Sequence, residues 1–132
     1  MYEVTIYTDG GCTPNPGFGA WAAVLKHGNI TREISGTEAD TTNNRMELFA
    51  VIAALEVLKS PCAITVISDS QWVVQCGSRV WGRSANMDLW TRFDECAARH
   101  VVVFQWVKGH AGNPMNERCH SLIEKALRQA VR

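Results

Sequence analysis

The sequence carries no net charge, since 13 Lys and Arg oppose 13 Asp and Glu. By that measure alone, a bulk electrostatic grip on nucleic acid is not expected. It also has no unbroken apolar run of about 18 residues, the length a membrane span requires. Its first residues, Met1-Tyr2-Glu3-Val4, lack the basic-then-apolar order of a signal peptide. No membrane partner is expected. None of its cysteines, Cys12, Cys62, Cys76, Cys96 and Cys119, forms a CxxC pair. Neither a zinc site nor a disulfide frame is suggested, and buried, reduced thiols of a cytoplasmic protein are expected. There is no internal repeat, low-complexity tract or linker, so residues 1–132 read as one domain.

What is present is a globular composition, 46% apolar and 20% charged. A chain of this length can remove roughly two-thirds of its unfolded surface from water. The charge is unevenly placed: residues 1–66 hold 4 basic and 7 acidic side chains, and residues 67–132 hold 9 basic and 6 acidic ones.

Val4 and Ile6 alternate with Glu3, Thr5 and Tyr7, which predicts a strand from Glu3 to Thr8, broken by the turn residues Asp9 to Gly17. Ala20–Lys26 and Ile30–Ser35 read as a hairpin around His27-Gly28-Asn29. Leu48, Val51, Ile52, Leu55 and Leu58 follow a helical period that Ser60-Pro61 ends. Ala63–Ile67 reads as a buried strand. Two helices follow, Gln71 to about Arg79 and Asp88 to about Arg99, then a strand at Val101–Val107. A last helix, from about Asn116 to Val131, is expected to bury Cys119, Leu122, Ile123, Ala126, Leu127 and Ala130. The order βββαβααβα predicts an α/β fold, a mixed sheet with helices on both faces.

In such sheets, sites form where strands end and connections change direction. Asp9 is placed at the end of the first strand, Glu47 in the first turn of the long helix and Asp69 at the end of the fourth strand. They converge only if the first and fourth strands are neighbours and the helix starts beside them. Converged carboxylates repel, and a divalent cation relieves the repulsion. All-oxygen ligation favours Mg²⁺ or Mn²⁺. Each residue has an ordinary alternative. Asp9-Gly10-Gly11 can be a plain turn. Asn44 and Glu47 can form a capping box. Asp69 or Ser70 can cap the helix that begins at Gln71. Composition and periodicity do not choose among them.

The surrounding wording is more specific. Tyr7-Thr8-Asp9-Gly10-Gly11, Asn15-Pro16-Gly17, Thr41-Thr42-Asn43-Asn44-Arg45-Met46-Glu47-Leu48, Ser68-Asp69-Ser70-Gln71, Trp106-Val107-Lys108-Gly109-His110-Ala111-Gly112-Asn113 and Asn116-Glu117-Arg118-Cys119 resemble type 1 ribonuclease H. The blocks occur in the family's order and span nearly the whole chain. The resemblance implies a ribonuclease H-like five-stranded mixed sheet flanked by helices. It implies an endonuclease that cuts the RNA strand of RNA/DNA hybrids with two metal ions, Mg²⁺ or Mn²⁺, leaving a 5′ phosphate and a 3′ hydroxyl. Asp9, Glu47 and Asp69 match its metal-binding carboxylates, and His110 matches a loop histidine suited to proton movement or product release.

The departure is His120, where the family usually has a fourth Asp. Imidazole suits Mn²⁺ better than Mg²⁺. Three roles are open to it: ligating a metal, orienting the attacking water, or pairing on the surface with Glu124 one helical turn on.

Telling RNA from DNA requires reading 2′-hydroxyls in the minor groove. The resemblance assigns this to Asn15, Asn43, Asn44 and Gln71, with backbone groups near Gly11 and Cys12, and gives Thr42 a phosphate of the DNA strand. Trp72 and Trp81 are candidates for packing on deoxyribose, against the alternative of core packing. The long basic insertion of many bacterial members is missing between the two middle helices. Only Val80 to Met87 stands there, flanked by Arg79. Modest hybrid affinity is expected, in a monomer that needs no protein partner. Met1 and a complete 132-residue fold favour a stand-alone protein. The competing readings are a hybrid-binding module that no longer cuts and the ribonuclease H domain of a reverse transcriptase.

Overall fold

A computed structural model describes residues 1–109 and 112–130. Its elements are β1 (Tyr2–Cys12), β2 (Gly17–His27), β3 (Ile30–Thr41), α1 (Asn43–Val57), β4 (Cys62–Ser68), α2 (Gln71–Gly77), α3 (Met87–Ala97), β5 (Val101–Trp106) and α4 (Pro114–Ala130). The order is the one expected from periodicity. The strands form one five-stranded sheet ordered β3-β2-β1-β4-β5. β1, β2 and β3 pair antiparallel, whereas β4 lies parallel to both β1 and β5. No described helix is long and apolar enough to cross a membrane.

Two cores flank the sheet. On one face Val4, Ile6, Ala23 and Leu25 meet Leu48, Val51, Ile52 and Leu55 of α1 and Leu89, Trp90 and Phe93 of α3. On the other, Ala20, Ala22 and Val24 of β2 meet Cys119 and Ile123 of α4. β2 is thus covered on both sides, which is why its burial departs from simple alternation. All five cysteines are free thiols, and only Cys96 among them is not fully buried.

Several boundaries differ from the expectation. β1 does not stop at Thr8. Asp9, Gly10, Gly11 and Cys12 pair with Ala22, Trp21, Ala20 and Gly19, so β2 takes up the hydrogen bonds that turn residues would otherwise leave open. The turn is confined to residues 13–16. α1 begins at Asn43 and is capped by Thr42, whose Oγ1 accepts from the Arg45 N–H at 3.2 Å. Asn44 is therefore not the N-cap, and Glu47 lies one turn inside the helix. α1 ends at Val57, with Leu58 already extended. α2 stops at Gly77, shortly before Arg79 takes a left-handed φ of 65°. On α3, Leu89, Trp90 and Phe93 are buried. On α4, Ala130 is exposed.

Candidate active site

Parallel pairing of β1 with β4 runs to Tyr7 opposite Ile67. Two residues beyond that pair on each strand stand Asp9 and Asp69, so strand register sets them at one level. Asp9 shares the strand side of Tyr7, which packs toward α4. Glu47 enters from the opposite layer. Its approach depends on Gly10, where an added Cβ would lie 2.3 Å from the Met46 carbonyl carbon and 2.5 Å from the Glu47 nitrogen. The first turns of α1 therefore pack directly on the β1 backbone.

Carboxylate oxygens of Asp9, Glu47 and Asp69 lie within 4.8 Å of one another, and all three side chains are half-buried. The local alternatives are resolved by other residues. Ser70, not Asp69, caps α2, its Oγ accepting from the Val73 N–H at 3.2 Å. Asp69 is set by its backbone: its carbonyl accepts from the Trp106 indole N–H at 3.0 Å. Asp9 keeps one local bond, accepting from the Gly10 N–H at 2.9 Å.

Among the described residues, the electrostatics are dominated by burial and by the mutual repulsion of the carboxylates. Burial, then the charges of Asp9 and Asp69, push the Glu47 carboxyl well above the usual range. Burial and Asp69 raise Asp9 as well, against the opposing pull of the Gly10 N–H and of His120. Glu47 Oε2 is buried without a hydrogen-bond partner. A buried acceptor of that kind, beside two more carboxylates, fits a hard divalent cation held by oxygen ligands.

These residues line a cleft of ≈ 580 Å³, together with Gly11, Cys12, Asn43, Asn44 and His120. The Cys12 N–H donates to Asn43 Oδ1 at 2.8 Å, and the Asn43 N–H donates to Asn15 Oδ1 at 3.1 Å. Both side-chain oxygens are thereby engaged, which fixes the orientation of both amides. Their NH₂ groups remain as donors on an exposed surface. Gln71 is exposed, and Thr42 is half-buried at its cap. Trp72 is half-buried, its ring 5.5 Å from that of Trp90, whereas Trp81 is 46% exposed.

His110 lies outside the described residues. Its neighbour Gly109 passes so close to Asp69 that an added Cβ would be 2.8 Å from Oδ2. His120 stands on α4 with Nδ1 3.7 Å from Asp9 Oδ2 and Nε2 3.1 Å from Glu124 Oε1. The expected pairing with Glu124 is present, and it leaves the other ring nitrogen facing Asp9. Sequence reasoning gave Glu124 only the part of a surface partner, yet it too lines the cleft. Its signal was the four-residue spacing from His120. The close approach of Gly109 had no signal beyond the glycine itself.

The sequence profile of the RNase H family matches residues 1–128. Ribonuclease HI of Caulobacter vibrioides is 49% identical over 142 aligned residues, covering 97% of this chain and 95% of that protein. Among solved structures, LC11-RNase H1 in complex with RNA/DNA hybrid matches with a TM-score of 0.86 at 25% identity, covering 98% of this chain and 100% of that one. RNase H1 from the halophilic archaeon Halobacterium salinarum matches with a TM-score of 0.81 at 30% identity, covering 96% of this chain and 98% of that one.

Proposed function

This chain belongs to the RNase H family, and from that premise we propose that its cleft hydrolyses the RNA strand of RNA/DNA hybrids. The observation that carries the reading is the convergence of Asp9, Glu47 and Asp69 around a buried, unpartnered Glu47 oxygen. Divalent cations, Mg²⁺ or Mn²⁺, supply there the activation of water and the neutralisation of the leaving oxygen. The three carboxylates would hold the ions. Water adds at phosphorus, the bond to the 3′ oxygen breaks, and that oxygen takes a proton. The products are a 5′ phosphate and a 3′ hydroxyl. His110, which matches the family's loop histidine, moves a proton or assists product departure.

Hybrid recognition falls to the amides beside the cleft. The outward NH₂ groups of Asn15 and Asn43 can donate to 2′-hydroxyls, which DNA lacks. Asn44, Gln71 and the backbone at Gly11 and Cys12 extend the same minor-groove track. The Thr42 hydroxyl accepts from Arg45 and still has its own hydrogen to give to a phosphate of the DNA strand. Trp81, exposed, is the better placed of the two tryptophans for a deoxyribose, since Trp72 packs on Trp90. His120, 3.7 Å from Asp9 and in the place where the family resemblance gives a fourth aspartate, would help to hold an ion. The chain acts as a monomer in the cytoplasm.

The test is a labelled hybrid, duplex DNA and duplex RNA, each incubated with Mg²⁺ and then Mn²⁺. Cleavage of the hybrid alone, lost in Asp9→Asn, is the expected result. Tight hybrid binding without cleavage in either metal would identify a binding module instead.

A further inference from the structure

His120 and Glu124 sit one turn apart on α4, and both line the cleft. The two imidazole nitrogens face different groups: Nε2 is 3.1 Å from Glu124 Oε1, and Nδ1 is 3.7 Å from Asp9 Oδ2. An ionised carboxylate only accepts hydrogen bonds, so Glu124 requires a hydrogen on Nε2. In a neutral imidazole, that hydrogen leaves the lone pair on Nδ1, the nitrogen turned toward Asp9. A histidine that ligates a metal commonly donates its other N–H to a carboxylate, which fixes tautomer and ring orientation. The ordinary alternative is an imidazolium paired with both carboxylates, which carries a hydrogen on each ring nitrogen, whereas a ligating imidazole carries one on Nε2 alone.

We propose that Glu124 is a positioning residue that holds His120 in its Nε2–H tautomer and aims Nδ1 at the cation bound by Asp9. The two side chains together then do what one aspartate can do alone. A carboxylate at position 120 needs no tautomer, whereas an imidazole there needs a partner. The four-residue spacing places that partner within reach. The inference rests on reading the cleft as a metal site, and it deepens that reading.

The experiment measures Mn²⁺ binding to the full chain without substrate, by calorimetry, for the wild type, Glu124→Ala and Glu124→Gln. The ¹⁵N shifts of the His120 ring are recorded alongside. Glu124→Ala is expected to weaken Mn²⁺ binding about 10-fold and to abolish the Nε2–H preference. Glu124→Gln keeps an acceptor oxygen and is expected to retain most of the affinity. In a His120→Asp background, Glu124→Ala is expected to have no effect.

Any of four results would overturn the proposal. These are an unchanged affinity and tautomer in Glu124→Ala, an equal loss in Glu124→Gln, an equal loss in the His120→Asp background, or no Mn²⁺ binding by the wild type. Hybrid cleavage is scored separately. A chain that shows the Glu124 effect but does not cut retires the nuclease reading and leaves this one standing. A chain that cuts without the effect does the reverse.

Discussion

The guanidinium of Arg83 lies 4.2 Å from the centre of the Trp90 ring, turned inward from the segment between α2 and α3. Its side chain is only 3% exposed. It donates to the carbonyls of Cys76 and Gly77 at the end of α2, at 2.9 and 3.3 Å, and pairs with Asp94 at 2.8 Å. A cation in that position closes a helix C-terminus and covers an aromatic core.

Arg83→Ala is therefore expected to destabilise the protein by about 2–3 kcal/mol, through lost charge-assisted bonds and lost stacking. Arg83→Lys should recover little, because an ammonium cannot stack and fork in the same way. Urea unfolding measures both. A change within error for Arg83→Ala would contradict the assignment.

The same geometry bears on hybrid binding. Arg79 reaches the same carboxylate, Asp94, at 3.4 Å, so both arginines of the shortened connection are directed at Asp94. Few phosphate contacts remain there. A salt titration of hybrid affinity, with metal present and the Asp9→Asn variant to prevent cutting, should give a shallow log–log slope of roughly −2 to −3. A slope as steep as roughly −6 would mean phosphate contacts from elsewhere on the surface.

Arg79 also has a left-handed φ of 65°, with a side chain 65% exposed. Side chains with a Cβ are disfavoured there and glycine is not. Arg79→Gly should raise stability by about 0.5 kcal/mol, the relief of backbone strain exceeding the loss of a weak surface pair. A fall in the thermal midpoint would show that the Asp94 contact matters more.

Glu47 gives a pH prediction. Its carboxyl is held well above the ordinary range, first by burial and then by Asp9 and Asp69. The folded state thus keeps a proton that the unfolded chain has already released. The stability of the metal-free protein should fall as pH rises from the ordinary glutamate value through the raised one. Glu47→Gln removes the titration and should flatten that decline while abolishing cleavage. Unfolding in EDTA across a pH series tests this; equal pH slopes for the two proteins would refute it.

At position 120 the ligand chemistry itself is testable. The ratio of Mn²⁺ to Mg²⁺ cleavage rates should be higher for the wild type than for His120→Asp, since imidazole is the poorer partner for Mg²⁺. Identical metal profiles would remove His120 from the metal site.

Much of this was legible in the chain. The helical spacing of Leu48, Val51, Ile52 and Leu55 and the alternation around Val4 and Ile6 report burial directly, because backbone period and buried face are coupled. The six sequence blocks pointed to the family. Less legible were the ends of elements. Asp9 to Cys12 carry turn chemistry yet lie in a strand, because β2 supplies partners that no local pattern reveals. Thr42 rather than Asn44 caps α1, a choice within the polar run Thr42-Asn43-Asn44 that the local sequence leaves open.

By itself, then, the sequence determined the order of elements, the residues able to form two cores and the identity of three carboxylates. The first two are local and periodic, and the carboxylates were picked out by the sequence blocks around them. The tertiary structure decided that β4 lies in parallel beside β1, that Gly10 lets α1 touch the strand, and that His120 meets Asp9. Each of these is a contact between side chains or strands far apart in the chain. Such contacts depend on which surfaces pack together, and no spacing along one segment records that.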